Sequence, residues 1–453
     1  MDLSALGFHC RNRSGGLSGL WEIFGQPEEG EPRMNSEYET IVVGAGAAGL
    51  AAAEWLRKND ANHKVLVLEA AKRVGGRLFT STEWGGDYPL DIGASWIHGN
   101  RGNPVAALRD EYDIRTVVTD LDSLVLYDSS GNPVPEADQE AMRADAEEMI
   151  AEFDRTGKLP KGGTGTSKHA DHDRGVSYFL WQHFQNEFGA APDEVAHLWY
   201  SDAVFLGAQE VMPGGYGQFV QKLSQGVKCR SGSRVRAISW NDGGARVTVA
   251  DEEYDCKQVI VTVPLGVLKG AGIAFTPELP AEKTAAIEKL RMGTLSKTWL
   301  LFPKVFWDRN TLTHAYLGTK DNIWSEWYSF ADVYDGRAVL LCLNGGEGGT
   351  RVEKLEDAEI VEEAMTVLKK IFPDAERPVK IAQSRWTQDA DFRGSYSYTP
   401  RGATPDDRDA LAAPVSNRLF FAGEATHSTC HQTVHGALLS GRRAAKEVIA
   451  VRR

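Results

Sequence analysis

The chain has 453 residues, 42% hydrophobic and 25% charged, with a formal net charge of −13. That length predicts two or three domains of ordinary globular composition. The negative balance disfavours nucleic acid as a partner and favours the approach of cations. No run of eighteen uncharged apolar residues suggests a membrane span, and an opening with Glu22, Glu28 and Glu29 beside Arg11 and Arg13 is unlike a secretory leader.

Residues 1–37 are rich in Gly, Ser, Glu and Pro without sustained periodicity and read as a disordered extension. Thr40 to Val43 then reads as an apolar strand, Gly44 to Gly49 as a glycine turn, Ala47 to Lys58 as a helix, and Val65 to Leu68 as a second strand ending in Glu69. A helix is predicted from Gln139 to Asp154, followed by a polar loop from Lys158 to Gly175. That loop carries His169, Asp171, His172 and Asp173, but its glycines and threonines suit a lid or linker better than a metal site. From Arg234 to Val263 the pattern becomes short alternating strands, with a hairpin turn at Asn241-Asp242-Gly243-Gly244. Tryptophan-rich strands run from Thr298 to Leu343, a helix from Asp357 to Ile371, and the strand "RLFFAG" leads into a last helix, "VHGALLSGRRAAKEVIAV". The five cysteines, Cys10, Cys229, Cys256, Cys342 and Cys430, form no C-x-x-C pair. That argues against a disulfide framework or a zinc site and fits a reducing, cytoplasmic setting.

Two features carry chemistry. Gly44-Ala45-Gly46-Ala47-Ala48-Gly49 is a G-x-G-x-x-G between strand and helix, and Glu69 ends the next strand twenty residues later, where a carboxylate can accept both hydroxyls of a ribose. The first glycine permits the tight turn, the second lets backbone approach a pyrophosphate, the third lets helix and strand pack, and the helix start donates N–H groups. A 2'-phosphate is disfavoured beside Glu69; the motif alone leaves FAD and NAD both open. The second feature is "RMGTLSKTWLLF", residues 291–302. Counting by twos, Lys297 shares a face with Leu295, Trp299 and Leu301. An ammonium on an apolar face reaches solvent, finds an anion, or serves a site.

Seven motifs in this order, "VVGAGAAGL", "EAAKRVGGR", "DIGASWIHGNRGNP", "VIVTVPLGVL", "MGTLSK", "RGSYSYTP" and "FFAGEATHSTCHQTVHGALLSG", resemble those of the flavin-containing amine oxidases, and within them the polyamine and spermine oxidases. The resemblance implies an α/β fold. A doubly wound, Rossmann-like FAD-binding domain (38–95, 205–295 and 396–453) is interleaved with an α+β substrate-binding domain (96–204 and 296–395). Position by position, it assigns Gly44, Gly46, Ala48, Gly49, Glu69 and Arg77 to the adenosine and pyrophosphate, and Val235 to the adenine. Gly93, Ala94, Ser95, Trp96 and Trp386 fall on the flavin side. Gly423 and Glu424 fall at the ribityl or pyrophosphate end, and Thr433 and Val434 at the helix start facing the flavin. It makes Tyr396 an aromatic wall for the amine, puts Thr433 where the family often has a second one and so leaves that side of the substrate site open, and makes His98 the residue that positions the amine and Lys297 the holder of a water near flavin N5. Ser395, where monoamine oxidases carry a cysteine, implies a non-covalent flavin.

The implied reaction takes a hydride from the carbon beside a neutral amine of spermine, spermidine or their acetylated forms. The resulting imine is hydrolysed to an aldehyde and a smaller amine, and dioxygen is reduced to hydrogen peroxide. Asp202, Glu210 and Glu326 are the acids considered for the distal ammoniums. An oxidase of primary monoamines or L-amino acids, or a chromatin lysine demethylase or non-catalytic binding protein, are the alternatives. The expected partners are therefore a small polyamine and dioxygen, with no nucleic acid, membrane or metal.

Overall fold

A computed structural model describes residues 37–160, 170–196, 205–319 and 321–451. The expected extension falls, but for residue 37, outside them, as do His169 and Asp202.

Strand β1 (Tyr38–Val43) lies between Glu252–Val261 and β2 (Val65–Leu68), parallel to both, with Val43 opposite Val261 and Leu68. Cys229–Arg230 runs parallel beyond β2, and Leu419–Phe421 runs parallel on the far edge of Glu252–Val261. Side chains alternate across this sheet. Val42, Val67, Ile260 and Phe420 pack with helix α1 (Ala47–Asn59) and the C-terminal helix Val434–Ala450. Ile41, Leu66, Val259 and Phe421 pack instead with the hairpin strands Val235–Asn241 and Gly244–Val249. Covering both faces is what makes the parallel strands read as continuous apolar runs. The hairpin turns where expected: Asn241 opposes Gly244, and its Oδ1 accepts from the Gly243 N–H at 2.8 Å.

The second large sheet has the order Lys380–Gln383, Leu295–Leu301, Val339–Gly345, Glu326–Ser329, Thr313–Tyr316, Leu124–Tyr127. Trp299, Leu301, Leu341 and Tyr328 share one apolar cluster. Leu300, Phe302, Cys342 and Trp327 share another, beneath the Asp357–Ile371 helix. The strand carrying Lys297 is therefore covered on both sides, and even Ser296 and Thr298 are buried.

Two elements differ from the sequence expectation. The helix predicted over Gln139 to Asp154 runs from Glu136 to Thr156; Glu136 and Asp138 suit its positive start, and Gly157, at φ 70°, ends it. Part of the expected polar loop is a helix, Ala170–Trp181. Its apolar stripe, Val176 and Phe179, packs on Met142 and Met149, while Asp171 and Asp173 occupy its first turn. His172 Nε2 lies 2.9 Å from Asp145 Oδ2. Among the described residues no three His, Cys, Asp or Glu side chains gather as a metal site, and no helix is long and apolar enough to cross a membrane.

One buried lysine ties the fold to the cavity described below. Lys283 donates to the carbonyls of Ala410 (3.0 Å) and Leu411 (2.6 Å), at the end of the Pro405–Ala412 helix that carries Arg408. Lys283→Ala should lower stability by about 2 kcal/mol, because two last-turn carbonyls lose their donor. Burial draws the Lys283 pKa down to about 7, against about 10.4 in an unfolded chain. The unfolded state thus holds more protons between those values, and this group makes stability rise with pH across that window. Thermal melts from pH 6 to pH 10 should show that rise in the wild type and a smaller one in the variant; identical melts would refute the role.

Candidate active site

The carboxyl ends of the parallel strands open onto a cavity of about 1100 Å³, lined there by Gly44, Glu69, Thr262 and Gly423. In open α/β sheets ligands bind at this edge. Gly44, at φ 105°, makes the turn that a side chain would strain. A Cβ on Gly49 would sit 1.9 Å from the Gly44 carbonyl, so Gly49 packs helix on turn and lies off the cavity. A Cβ on Gly46 would meet nothing within 4 Å; it would point into open space. The start of α1 has no side-chain cap and no acid in its first turn, and Ala47 and Ala48 line the cavity there. Uncapped N–H groups at a helix start, facing a glycine with room in front of it, fit a pyrophosphate.

Glu69 Oε2 accepts from the Ala45 N–H at 2.6 Å and Oε1 from the Ala71 N–H at 2.8 Å. Burial pushes its carboxyl up, against the pull of those two bonds. Each oxygen keeps a lone pair for a ribose hydroxyl. Val235, with Arg234 and Arg236, lines the same end. The Gly75 N–H is bonded to the Ala45 carbonyl at 2.8 Å, bracing the first turn.

Arg77 is held from both sides, donating to the Ser395 carbonyl (2.9 Å) and Glu424 Oε1 (3.0 Å). Glu424 also accepts from the Ser397 N–H and hydroxyl and from the Gln432 N–H. Burial alone would lift the Glu424 carboxyl, but Arg77, Ser397 and Arg408 outweigh it and hold it below its usual range. Arg408, fully buried, donates to the Ser397 hydroxyl at 2.8 Å. Glu424 therefore aims Arg77 while itself lining the cavity.

Lys297 Nζ reaches across to the Gly93 carbonyl and Ser95 Oγ, each at 2.5 Å, and lies 5.6 Å from the Trp96 ring centre. Burial pulls its pKa below that of an ordinary lysine, and the buried Asp91 carboxylate nearby opposes that pull. Trp386 donates to the Ile92 carbonyl at 3.2 Å, and Ala94 borders the same wall. Thr433 and Val434 also line the cavity. The Thr433 hydroxyl caps the last helix, accepting from the Gly436 N–H at 3.0 Å and donating to the Cys430 carbonyl at 2.7 Å. Ser395 Oγ is likewise engaged, with the backbone of Leu295.

Beyond this wall the cavity continues between Tyr396, Tyr328 and the segment Gln182–Asn186, a π-helical turn ending the Ala170–Trp181 helix. Such turns recur at functional sites. Tyr396 OH donates to the Asn186 carbonyl at 3.1 Å. His98 lines the cavity with Nδ1 3.2 Å from Gln209 Oε1. Of the acids considered for ammonium binding, Glu210 is bound by Arg109 and Asn100, and Glu326 is buried behind Gln182 and Asn186. The carboxylates that line the cavity here are Glu147 and Glu187, which sequence reasoning missed. The spacing of Gln182, Asn186 and the adjoining Glu187 among aromatics in "FLWQHFQNEF" was the available signal.

A family model described as flavin containing amine oxidoreductase matches residues 47–449. Polyamine oxidase 4 of Oryza sativa subsp. japonica is 34% identical, covering 92% of this chain and 90% of the relative. Polyamine oxidase 2 of Arabidopsis thaliana is 32% identical, over 92% and 89%. Lysine-specific histone demethylase 1 homolog 1 of Oryza sativa subsp. japonica is 34% identical over 91% of this chain, which spans 52%, about half, of that relative. A solved structure of putrescine oxidase bound to putrescine shares the fold, with a TM-score of 0.74 at 22% identity, covering 91% of this chain and 99% of the other.

Proposed function

The chain belongs to the flavin-containing amine oxidoreductases, and from that premise we propose that it oxidises a secondary amine of spermine, spermidine or their acetylated forms. The observation that carries this reading is the far half of the cavity, where two tyrosines, two amides and the carboxylates of Glu147 and Glu187 form a wall suited to an extended polycation. The flavin, when bound, supplies the acceptor for a hydride from the carbon beside the amine and passes both electrons to dioxygen, which leaves as hydrogen peroxide.

The residues have separate tasks. Gly46, Glu69 and the start of α1 hold the adenosine and pyrophosphate, and Arg77, aimed by Glu424, neutralises the phosphates. Tyr396 and Trp386 exclude water and orient the C–H bond, while His98 positions the amine. Lys297 holds a water against the Gly93 and Ser95 pair, where it can serve imine hydrolysis or oxygen reduction. With Ser395 tied to Leu295 the flavin stays unbonded to protein, so acid precipitation should release it to the supernatant.

A second reading, demethylation of a methylated lysine side chain, is favoured by the identity to the histone demethylase homologue. Peroxide release separates the two: the flavin-loaded protein is given spermine, spermidine, N-acetylspermine, tyramine, L-amino acids and a dimethyl-lysine histone peptide. Turnover of a polyamine is expected. Turnover of the peptide alone would replace the first reading by the second, and turnover of tyramine or an amino acid alone would overturn both.

A further inference from the structure

We propose that Glu326 is a positioning residue that turns the side chain of Gln182 into a hydrogen-bond acceptor for a substrate ammonium; this rests on the amine-oxidising reading above. Lys297 and Glu326 both pair directly with Leu343, from either side, so the three side chains lie on one face of the sheet. Two strand spacings separate the cation from the anion, roughly 9.5 Å between Cα atoms.

Glu326 is fully buried, and its oxygens accept from Tyr178 OH (2.8 Å), Gln182 Nε2 (2.8 Å), Asn186 Nδ2 and the Tyr328 hydroxyl. A carboxylate can only accept, so each amide facing it must present its NH₂ and turn its carbonyl away. For Asn186 that carbonyl oxygen ends up buried. For Gln182 it is a different matter, because the residue is half-buried and lines the cavity, and its Oε1 has no hydrogen-bond partner among the described residues. The wall beside Tyr328 and Glu187 therefore carries an acceptor whose orientation is set from behind by a buried charge. An N–H donor with positive charge is the chemistry that matches it.

Were residue 326 an amide, it would offer one NH₂ of its own, and Gln182 could reverse and show the cavity a donor, which repels an ammonium. Glu326 would then act on the substrate only through Gln182. That dependence separates positioning from mere support of the fold.

The test uses flavin-loaded protein and spermidine as probe, mixed rapidly without oxygen so that binding (Kd) and flavin reduction are read separately. Gln182→Met should raise Kd about tenfold, the loss expected for one hydrogen bond to a charged group, with the reduction rate within about threefold. Glu326→Gln should raise Kd similarly, and the double variant should be no worse than either single one. Additive effects, or an unchanged Kd in Gln182→Met, would overturn the proposal. If Glu326→Gln fails to retain flavin, Gln182→Met alone decides. Wild-type protein that binds spermidine without reducing its flavin would sink the oxidase reading while leaving the acceptor in place; wild-type protein that does not bind it would sink the acceptor.

Discussion

Gly46→Leu is expected to yield a folded protein that purifies without flavin. Gly46 has φ −78° and ψ −175°, extended backbone open to any residue, and a Cβ there touches nothing within 4 Å. The side chain would occupy the space in front of the helix start, where a pyrophosphate must approach the backbone. Leucine is a poor helix N-cap, at a cost of about 1 kcal/mol, too little to unfold a chain of this size. Gly49→Ala should do the reverse. Its Cβ would lie 1.9 Å from the Gly44 carbonyl, so turn and helix must separate, an overpacking that costs about 1–3 kcal/mol or more. Flavin content per chain and the melting temperature with and without added FAD distinguish the two. Gly46→Leu should lose at least about tenfold in flavin content and the FAD-dependent rise in melting temperature, while its apo melt stays near wild type. Normal flavin content in Gly46→Leu would show that the cofactor does not pass over this glycine.

Lys297→Met should keep its flavin and slow the oxidative half of the cycle by about 10²-fold, the scale of removing one positioned proton donor. Methionine keeps the stem packed among Trp96 and its neighbours but leaves the Gly93 carbonyl and Ser95 hydroxyl without the ammonium, and removes the cation that draws down the Asp91 carboxyl. Because burial lowers the Lys297 pKa, the ammonium is the form present at low pH and is lost earlier than in an exposed lysine. If the charged form assists reoxidation, the wild-type rate falls as pH rises through that pKa, and the methionine variant is flat. Stopped-flow mixing of reduced enzyme with oxygenated buffer measures both; wild-type reoxidation in the variant would return Lys297 to a purely structural role. Reduction by substrate should change far less.

The glycine turn, its helix and Glu69 were legible in the sequence because all their determinants are local: three glycines, an apolar strand on each side and an acid at a fixed distance. The inward face of Lys297 was legible for the same reason, since a strand's period fixes it. What covers the other face, with Ser296 and Thr298, was not, because the Asp357–Ile371 helix that packs there is distant in sequence. Glu326 was legible only as one of three acids considered for the distal ammoniums. Tyr178, Gln182 and Asn186 sit 140 to 148 residues earlier, on the end of the Ala170–Trp181 helix and on a π-helical turn that no hydrophobic period announces. The Arg77–Glu424–Arg408 cluster joins three distant segments in the same way. The helix that begins at Ala170 was hidden by composition: glycines, threonines and charges resemble a loop until Met142 and Met149 supply a surface for Val176 and Phe179.

The parallel sheet draws its first strand from residues 38–43 and an edge strand from 419–421, and the last helix lies so close on α1 that a Cβ on Gly441 would come within 2.1 Å of the Ala48 carbonyl. A ribosome making this chain therefore releases the cofactor-binding turn long before the strand and helix that close it. Over that interval the turn has only α1 and β2 beside it, and the open edge of its apolar strand is available to chaperones or to other nascent chains. A complete site needs the strand at 419–421 and the helix at 434–450, so protection of the unfinished chain over that interval should govern the yield of loaded protein.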